Sequence, residues 1–302
     1  MKVAMLLTSF PDLPQTFVLG QITGMLDRGV DLDLFALRRG VDDPLHDEVR
    51  RYGLEDRARL ISDIRPGVAG THDIIHAQFG QLGVMAAELQ AEGVLRGRLV
   101  TSLRGFDCNR LAEMGKRACG DLFARGDLFL PVSRALEKQL VSLGCPAAKI
   151  EVLRSGIDCR LFSPPAEVRR AGGPVRLITV GWLKKTKGVD LAVQAAARVA
   201  ATGRAIEYVI VGDGPLRAAL ERLAEGSGKR ASVHLLGWKT RAEVAEILKT
   251  ADILLAPSVT TEHGGQEGIP NVLKEAMAAG LPVIGTAHAG IPELVDDGHT
   301  GF

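Results

Sequence analysis

Short apolar runs alternate with longer amphipathic stretches along the whole 302-residue chain, and this alternation constrains the fold more than any other feature. An unbroken apolar run of four to eight residues offers no polar face to water, so as a strand it must be covered on both sides. The amphipathic stretches supply the covers, each long enough to return the chain for another parallel strand. The fold class is therefore α/β. In the first half the candidate strands are 3–8, 31–37, 73–76, 98–103, 128–132 and 150–153, and segments 15–28 and 134–143 carry helical periodicity. In the second half they are 176–181, 207–212, 233–237, 252–256 and 282–285, with a helix after each of the first four.

Between the halves, residues 154–174 lose periodicity and gather turn formers, including Pro164-Pro165 and Gly172-Gly173-Pro174. The expected organisation is one Rossmann-like domain over 1–160, a linker over 161–174 and a second Rossmann-like domain over 175–302. Open parallel sheets bind ligands beyond the carboxyl ends of their strands, so two such domains are expected to face each other across a ligand cleft.

Charge and composition narrow the partners. A formal net charge of +1 gives no long-range pull on a polyanion, and aromatics at 4% leave few stacking platforms, so no nucleic-acid partner is expected. Cys108, Cys119, Cys145 and Cys159 form no C-x-x-C pair and no zinc-like spacing, as expected of free thiols in a reducing cytoplasm. The apolar start is interrupted at Ser9-Phe10-Pro11-Asp12, too early for a signal-peptide core, and reads as a buried strand. No stretch reaches the roughly 18 apolar residues of a membrane span, so any membrane contact would be peripheral. The oligomeric state is not legible.

The most informative segment is Gly265-Gln266-Glu267-Gly268-Ile269-Pro270-Asn271-Val272-Leu273-Lys274-Glu275-Ala276-Met277-Ala278-Ala279-Gly280. Pro270 marks a helix start and Gly280 its end, with Pro282 barring continuation. Read as starting directly after a strand, this helix aims its unpaired N–H groups and positive dipole end at the cleft, where a diphosphate binds well. Carboxylates do not bind phosphates, so Glu267 and Glu275 would take hydroxyls, one from a sugar and one from a ribose. On spacing alone, a capping acid followed by a solvated glutamate fits equally well.

This Glu-x7-Glu segment resembles the donor-site signature of family 4 glycosyltransferases of GT-B fold, and more narrowly their exopolysaccharide and colanic-acid branch. Further matching stretches, in order, are Ser9-Phe10-Pro11 with Gln15-Thr16-Phe17, Asp73 to Gly80, Gly156-Ile157-Asp158 with Phe162, Val211 to Pro215 and Gly290 to Val295. The resemblance implies transfer of a sugar, with retention, from a nucleoside-diphosphate sugar to a glycan or lipid-linked sugar acceptor, with no cofactor and no metal. It implies that Glu267 contacts the donor sugar near the reacting carbon, Glu275 holds the ribose and Lys187 meets the diphosphate. Gly268, Ile269, Pro270 and Asn271, with Gly181, Gly212 and Gly237 at strand ends, would complete the donor site. A cation at Lys187 suits a leaving group that gains negative charge, although alone it would read as a solvated lysine.

Two positions depart from the family pattern. Trp182 stands where the family has a phosphate-clamping arginine, and Arg104 where it has a histidine, so Arg104 is expected to replace the missing clamp as a catalytic group. The alternative is a catalytically weak or inactive nucleotide-sugar binder, in which Trp182 only packs at a strand end and Arg104 pairs with Asp107. An epimerase or phosphorylase of the same fold lacks support in acid/base residues or a pyridoxal lysine. Gly212 and Gly214 lack the full G-x-G-x-x-G spacing of a nicotinamide site. His76, His263 and His288 read as strand-end or loop residues. The chain stops at Phe302, where the family continues, so the C-terminal end is expected to be incomplete.

Overall fold

The first apolar run folds as strand β1 (Lys2–Phe10), and its alternate side chains enter two different cores. Val3, Met5 and Leu7 pack on one face with Val18, Leu19 and Ile22 of helix α1 (Thr16–Leu26). Ala4 and Leu6 pack on the other with Leu82 of α3 (Gly80–Ala91) and Leu111 and Leu122 of α4 (Phe106–Arg125). Both faces are thus dry, which is why the run carries no alternation. This computed structural model describes residues 1–12, 15–40, 45–64, 71–166, 172–226, 231–262 and 265–302, and the chain divides into two compact units, Met1–Ser155 and Gly156–Phe302.

In the first unit, β1 is joined by β2 (Asp31–Arg39), β3 (Ala58–Leu60), β4 (Thr71–Ala77), β5 (Arg96–Leu103) and β6 (Leu128–Pro131). The sheet order is β3-β2-β1-β4-β5-β6, with every pairing parallel. Helices α2 (Asp47–Arg51) and α5 (Arg134–Ser142) complete the unit. One strand is unforeseen and one expected strand fails. β3 is a three-residue edge strand, too short to show periodicity. Residues 150–153 form no strand: Ile150 makes one isolated bridge to Phe129, and Leu153 N–H donates to the Pro131 carbonyl, but nothing beyond extends the ladder.

The second unit is a five-stranded parallel sheet in the order β11-β10-β7-β8-β9. Its strands are β7 (Val175–Val180), β8 (Ile206–Val211), β9 (Ala231–Leu235), β10 (Ile253–Ala256) and β11 (Val283–Gly285). Helices α6 (Val189–Ala201), α7 (Arg217–Glu225), α8 (Arg241–Leu248) and α9 (Asn271–Ala278) follow β7, β8, β9 and β10 in turn. Strand order reverses between β7 and β10, so the crevice beyond their carboxyl ends is the natural ligand position of this unit. Phe162, fully buried, belongs to the core of this second unit with Ile178, Leu254 and Leu273.

Candidate donor site

Strands β7 and β8 each run into a glycine, Gly181 and Gly212, and Gly237 lies just beyond β9. Gly181 N–H donates to the Val211 carbonyl at 2.9 Å, and Gly212 N–H donates to the Gly237 carbonyl at 2.8 Å. A Cβ on Gly212, whose φ is +129°, would lie 2.0 Å from the Gly181 carbonyl oxygen. No other residue permits this crossing, and the result is a flat backbone shelf beside the turn Lys185–Lys187. That turn closes on Gly188, at φ +60° and with its Cβ position 2.0 Å from the Pro257 carbonyl oxygen.

The turn sets the lysines. Lys187 Nζ donates to Glu267 Oε2 at 3.0 Å, while Lys184 Nζ and Thr186 Oγ1 each reach Glu267 Oε1 at 3.0 Å. Lys185 turns away to Asp190, at 2.6 Å. Burial alone would raise the Glu267 carboxyl, but the Lys187 and Lys184 ammonium groups outweigh it and bring the pKa down to about 2. Glu267 is therefore a permanent carboxylate, and the cluster carries one net positive charge. Lys187 also lines a crevice beyond the carboxyl ends of β7 and β10, together with Thr179, Ser258, Pro270 and Val272.

Helix α9 opens on this crevice. The expectation that it starts directly after a strand is wrong, because residues 257–270 intervene between β10 and Asn271 and carry Glu267, Gly268 and Ile269 past the strand ends. Pro270 is the N-cap, Asn271 the first helical residue, and Gly280 closes the helix at φ +74°. Ile269 is buried, and the Gly268 carbonyl accepts from Gly290 N–H at 3.2 Å. Val272, Leu273 and Ala276 anchor α9 in the core, at about 1.5–3 kcal/mol for a fully buried leucine. The same face buries Glu275, only 8% exposed. Burial raises its pKa to about 7, against the pull of Arg241 and Lys274.

In the first unit, Arg104 follows β5. Its Nη1 donates to Ser155 Oγ at 2.7 Å, its Nη2 to Gln78 Oε1 at 2.7 Å and to Gln21 Oε1 at 3.1 Å, and its guanidinium lies 4.5 Å from the Phe17 ring centroid. Every hydrogen-bond partner of the guanidinium among the described residues is neutral, and burial lowers its pKa to about 10. The pairing with Asp107 is overturned as a side-chain contact. The Asp107 carboxylate instead accepts from the backbone N–H groups of Gly80, Arg104 and Gly105 at 2.7–3.1 Å. Backbone donors left bare by the strand-to-helix turn claim this acid before the guanidinium can. His76 bonds Ser102 at 2.8 Å, and burial together with the Arg104 charge lowers its pKa to about 3, so it stays neutral.

Trp182 is half exposed at 48%; one edge of its indole lies over Gly214, whose Cβ position is 2.7 Å from the ring, and Lys184 Nζ lies 5.5 Å from the ring centroid. Lys184, Thr186 and His288 are partners of Glu267 that the sequence does not single out. His288 Nε2 accepts from Glu267 N–H at 3.3 Å. The only sequence signal was the closeness of the Lys-Lys-Thr-Lys turn to a strand end. His263 lies outside the described residues. Among the described residues no three His, Cys, Asp or Glu side chains gather as a metal site, and no helix is long and apolar enough to cross a membrane. Cys108, Cys119, Cys145 and Cys159 are free thiols.

Known proteins match over both units. A family model described as "Glycosyltransferase Family 4" matches residues 15–161, and one described as "Glycosyl transferases group 1" matches residues 174–302. The putative colanic acid biosynthesis glycosyltransferase WcaL of Salmonella typhimurium is 34% identical, over 100% of this chain and 86% of its own length. The amylovoran biosynthesis glycosyltransferase AmsK of Erwinia amylovora is 32% identical, with the same two coverages. Among solved structures, Anabaena HepE in complex with UDP superposes with a TM-score of 0.77 at 18% identity, over 100% of this chain and 85% of HepE. Sucrose-phosphate synthase of Thermosynechococcus elongatus superposes with the same score, identity and coverages. With two parallel-sheet α/β units of GT-B type and full-length relatives above 30% identity, the chain belongs to the family 4 glycosyltransferases.

Proposed function

We propose that this protein transfers a sugar, with retention of anomeric configuration and without a metal or other cofactor, from a nucleoside-diphosphate sugar to an acceptor hydroxyl in the synthesis of an exopolysaccharide or other cell-surface glycan. The observation that carries this reading is the shared crevice of the second unit, where Lys187 meets the N-terminal end of α9 beside the Glu267 carboxylate. A diphosphate seated there is met by the first-turn N–H groups and the helix dipole, and Lys187 offsets the charge that the leaving group gains. Glu267, held ionised, faces the sugar near the reacting carbon. Glu275, one helical turn further in, takes the ribose hydroxyls.

Gly181, Gly212 and Gly237 let the nucleotide lie against bare backbone, and Gly268, Ile269 and Asn271 shape the loop and helix entry. The first unit is the acceptor side, with Arg104 supplying the cation that Trp182 does not. The acceptor is a glycan or lipid-linked sugar, met at the inner membrane surface by a cytoplasmic enzyme in peripheral contact.

One observation favours the second reading of a weak or inactive binder: a half-exposed indole stands where the family has a clamping arginine. Calorimetry with UDP-, GDP- and ADP-sugars, followed by transfer assays with and without EDTA and NMR of the product's anomeric proton, separates the two. Donor binding, EDTA-insensitive turnover and retained configuration are expected. Binding without turnover would establish the second reading, and inversion or a strict metal requirement would refute the first.

A further inference from the structure

His288 is nearly fully buried in the turn after β11, and its two ring nitrogens face two points, Thr260 and Glu267, of the segment between β10 and α9. Glu267 N–H can only donate, so the 3.3 Å contact at Nε2 requires a lone pair there. In a neutral ring the proton then sits on Nδ1, where it is donated to Thr260 Oγ1 at 3.3 Å. The imidazole thus pins the segment after β10, through Thr260, to the backbone of Glu267. The turn is built to hold it there. Ala289 takes φ +47°, rare for a residue with a Cβ, and Gly290 N–H donates to the Gly268 carbonyl at 3.2 Å, tying the same two loops a second time. Thr286 Oγ1 donates to the Ser258 carbonyl and anchors the start of the turn.

We propose that His288 is a positioning residue for the transfer reaction, its neutral imidazole fixing the Glu267 backbone so that the carboxylate stays registered against Lys184, Lys187 and the donor sugar. This rests on the assignment of Glu267 to the reacting centre. Among the described residues the charge acting on the ring is the Glu267 carboxylate, itself paired with the Lys184 and Lys187 ammonium groups. Burial lowers the imidazole pKa below its ordinary value, and the Glu267 charge opposes this only in part. The neutral ring is therefore favoured in the folded protein. The contact is fully present above the unfolded value of about 6.5 and is lost as pH falls through the depressed folded value.

The test uses the full chain, with His288→Ala, His288→Gln and Glu267→Ala. A misplacement of the order of 1 Å at the reacting centre costs up to about 10²-fold in rate. His288→Ala should lower kcat by about tenfold to a hundredfold and leave the Kd for free UDP or GDP within about threefold. In His288→Gln the amide oxygen can accept from Glu267 N–H without titrating. That variant should recover kcat to within about threefold of wild type and lose the acid limb that the wild-type kcat–pH profile shows as pH falls through the lowered imidazole value. Nitrogen-15 NMR of the wild type should show His288 in the Nδ1–H tautomer, a readout that stands if the alanine variant does not fold. Wild-type kcat in His288→Ala with an inactive Glu267→Ala overturns the inference alone. An acid limb that persists in His288→Gln, or the Nε2–H tautomer, overturns it equally. Full turnover in Glu267→Ala overturns the assignment of Glu267 and the inference with it.

Discussion

Glu275→Gln should pull stability and nucleotide affinity in opposite directions. Glu275 is 8% exposed and its pKa is raised by burial from an ordinary 4.5 to about 7. A carboxyl with a raised folded pKa binds its proton better folded than unfolded. Its contribution to stability is complete below pH ~4.5 and is lost as pH rises to about 7. At 1.36 kcal/mol per unit, the buried charge costs roughly 3 kcal/mol at pH 8. Glutamine keeps the shape and removes the charge, so without added nucleotide Glu275→Gln should be more stable than wild type at pH 8 by about 1–3 kcal/mol. At roughly 2–4 °C per kcal/mol that is about 2–12 °C in Tm. The gain should vanish near pH 5. The ribose meanwhile loses a charged acceptor worth roughly 1.5–3 kcal/mol, so the Kd for UDP or GDP should rise about tenfold to a hundredfold. Thermal denaturation across pH 5–8 and titration calorimetry measure the two effects. A variant less stable than wild type at pH 8, with unchanged nucleotide affinity, would refute both the buried charge and the ribose contact.

Glu267→Ala should lower turnover about 10²- to 10³-fold, and because Lys184 and Lys187 lose their carboxylate, affinity for free nucleoside diphosphate should hold or tighten in calorimetry. Weaker UDP binding would contradict the division between sugar and diphosphate partners. Gly212→Ala, whose Cβ would lie 2.0 Å from the Gly181 carbonyl oxygen, should cost several kcal/mol, whereas Gly120→Ala, in α4 with nothing within 4 Å, should gain about 0.5–1 kcal/mol in denaturant unfolding. Equal effects would mean the shelf is not tight. Arg104→His should depress turnover sharply, and adding Trp182→Arg should restore much of it, with a coupling above about 0.5 kcal/mol in steady-state kinetics. Additive losses would separate Arg104 from the diphosphate and leave its bonds to Ser155, Gln78 and Gln21 as its whole role.

The α/β class, ten of the eleven strands and the bounds of α9 at Pro270 and Gly280 were readable from the order of residues, because each rests on local facts. An apolar run without alternation must be buried on both faces, proline cannot continue a helix from behind, and glycine tolerates a left-handed turn. Strand β3 was not readable, since three residues carry no period and its pairing to β2 is decided by what lies beside it. The failure at 150–153 has the same cause: an apolar run becomes a strand only where the sheet edge still offers partners, and past β6 only Phe129 and Pro131 do. For the site, the Glu-x7-Glu spacing marked the acids but not their state. The two carboxylates lie eight positions apart in one segment, yet Glu267 is driven to a pKa of about 2 and Glu275 to about 7. That divergence is tertiary. Lys184, Thr186 and Lys187 reach Glu267 from 80 or more residues away, and α9, which carries the buried Glu275, packs on β10 and β11. Sequence lists which charges exist, while the distances between them and the water they lose on burial are set only when the sheet closes, and electrostatic free energy depends on both.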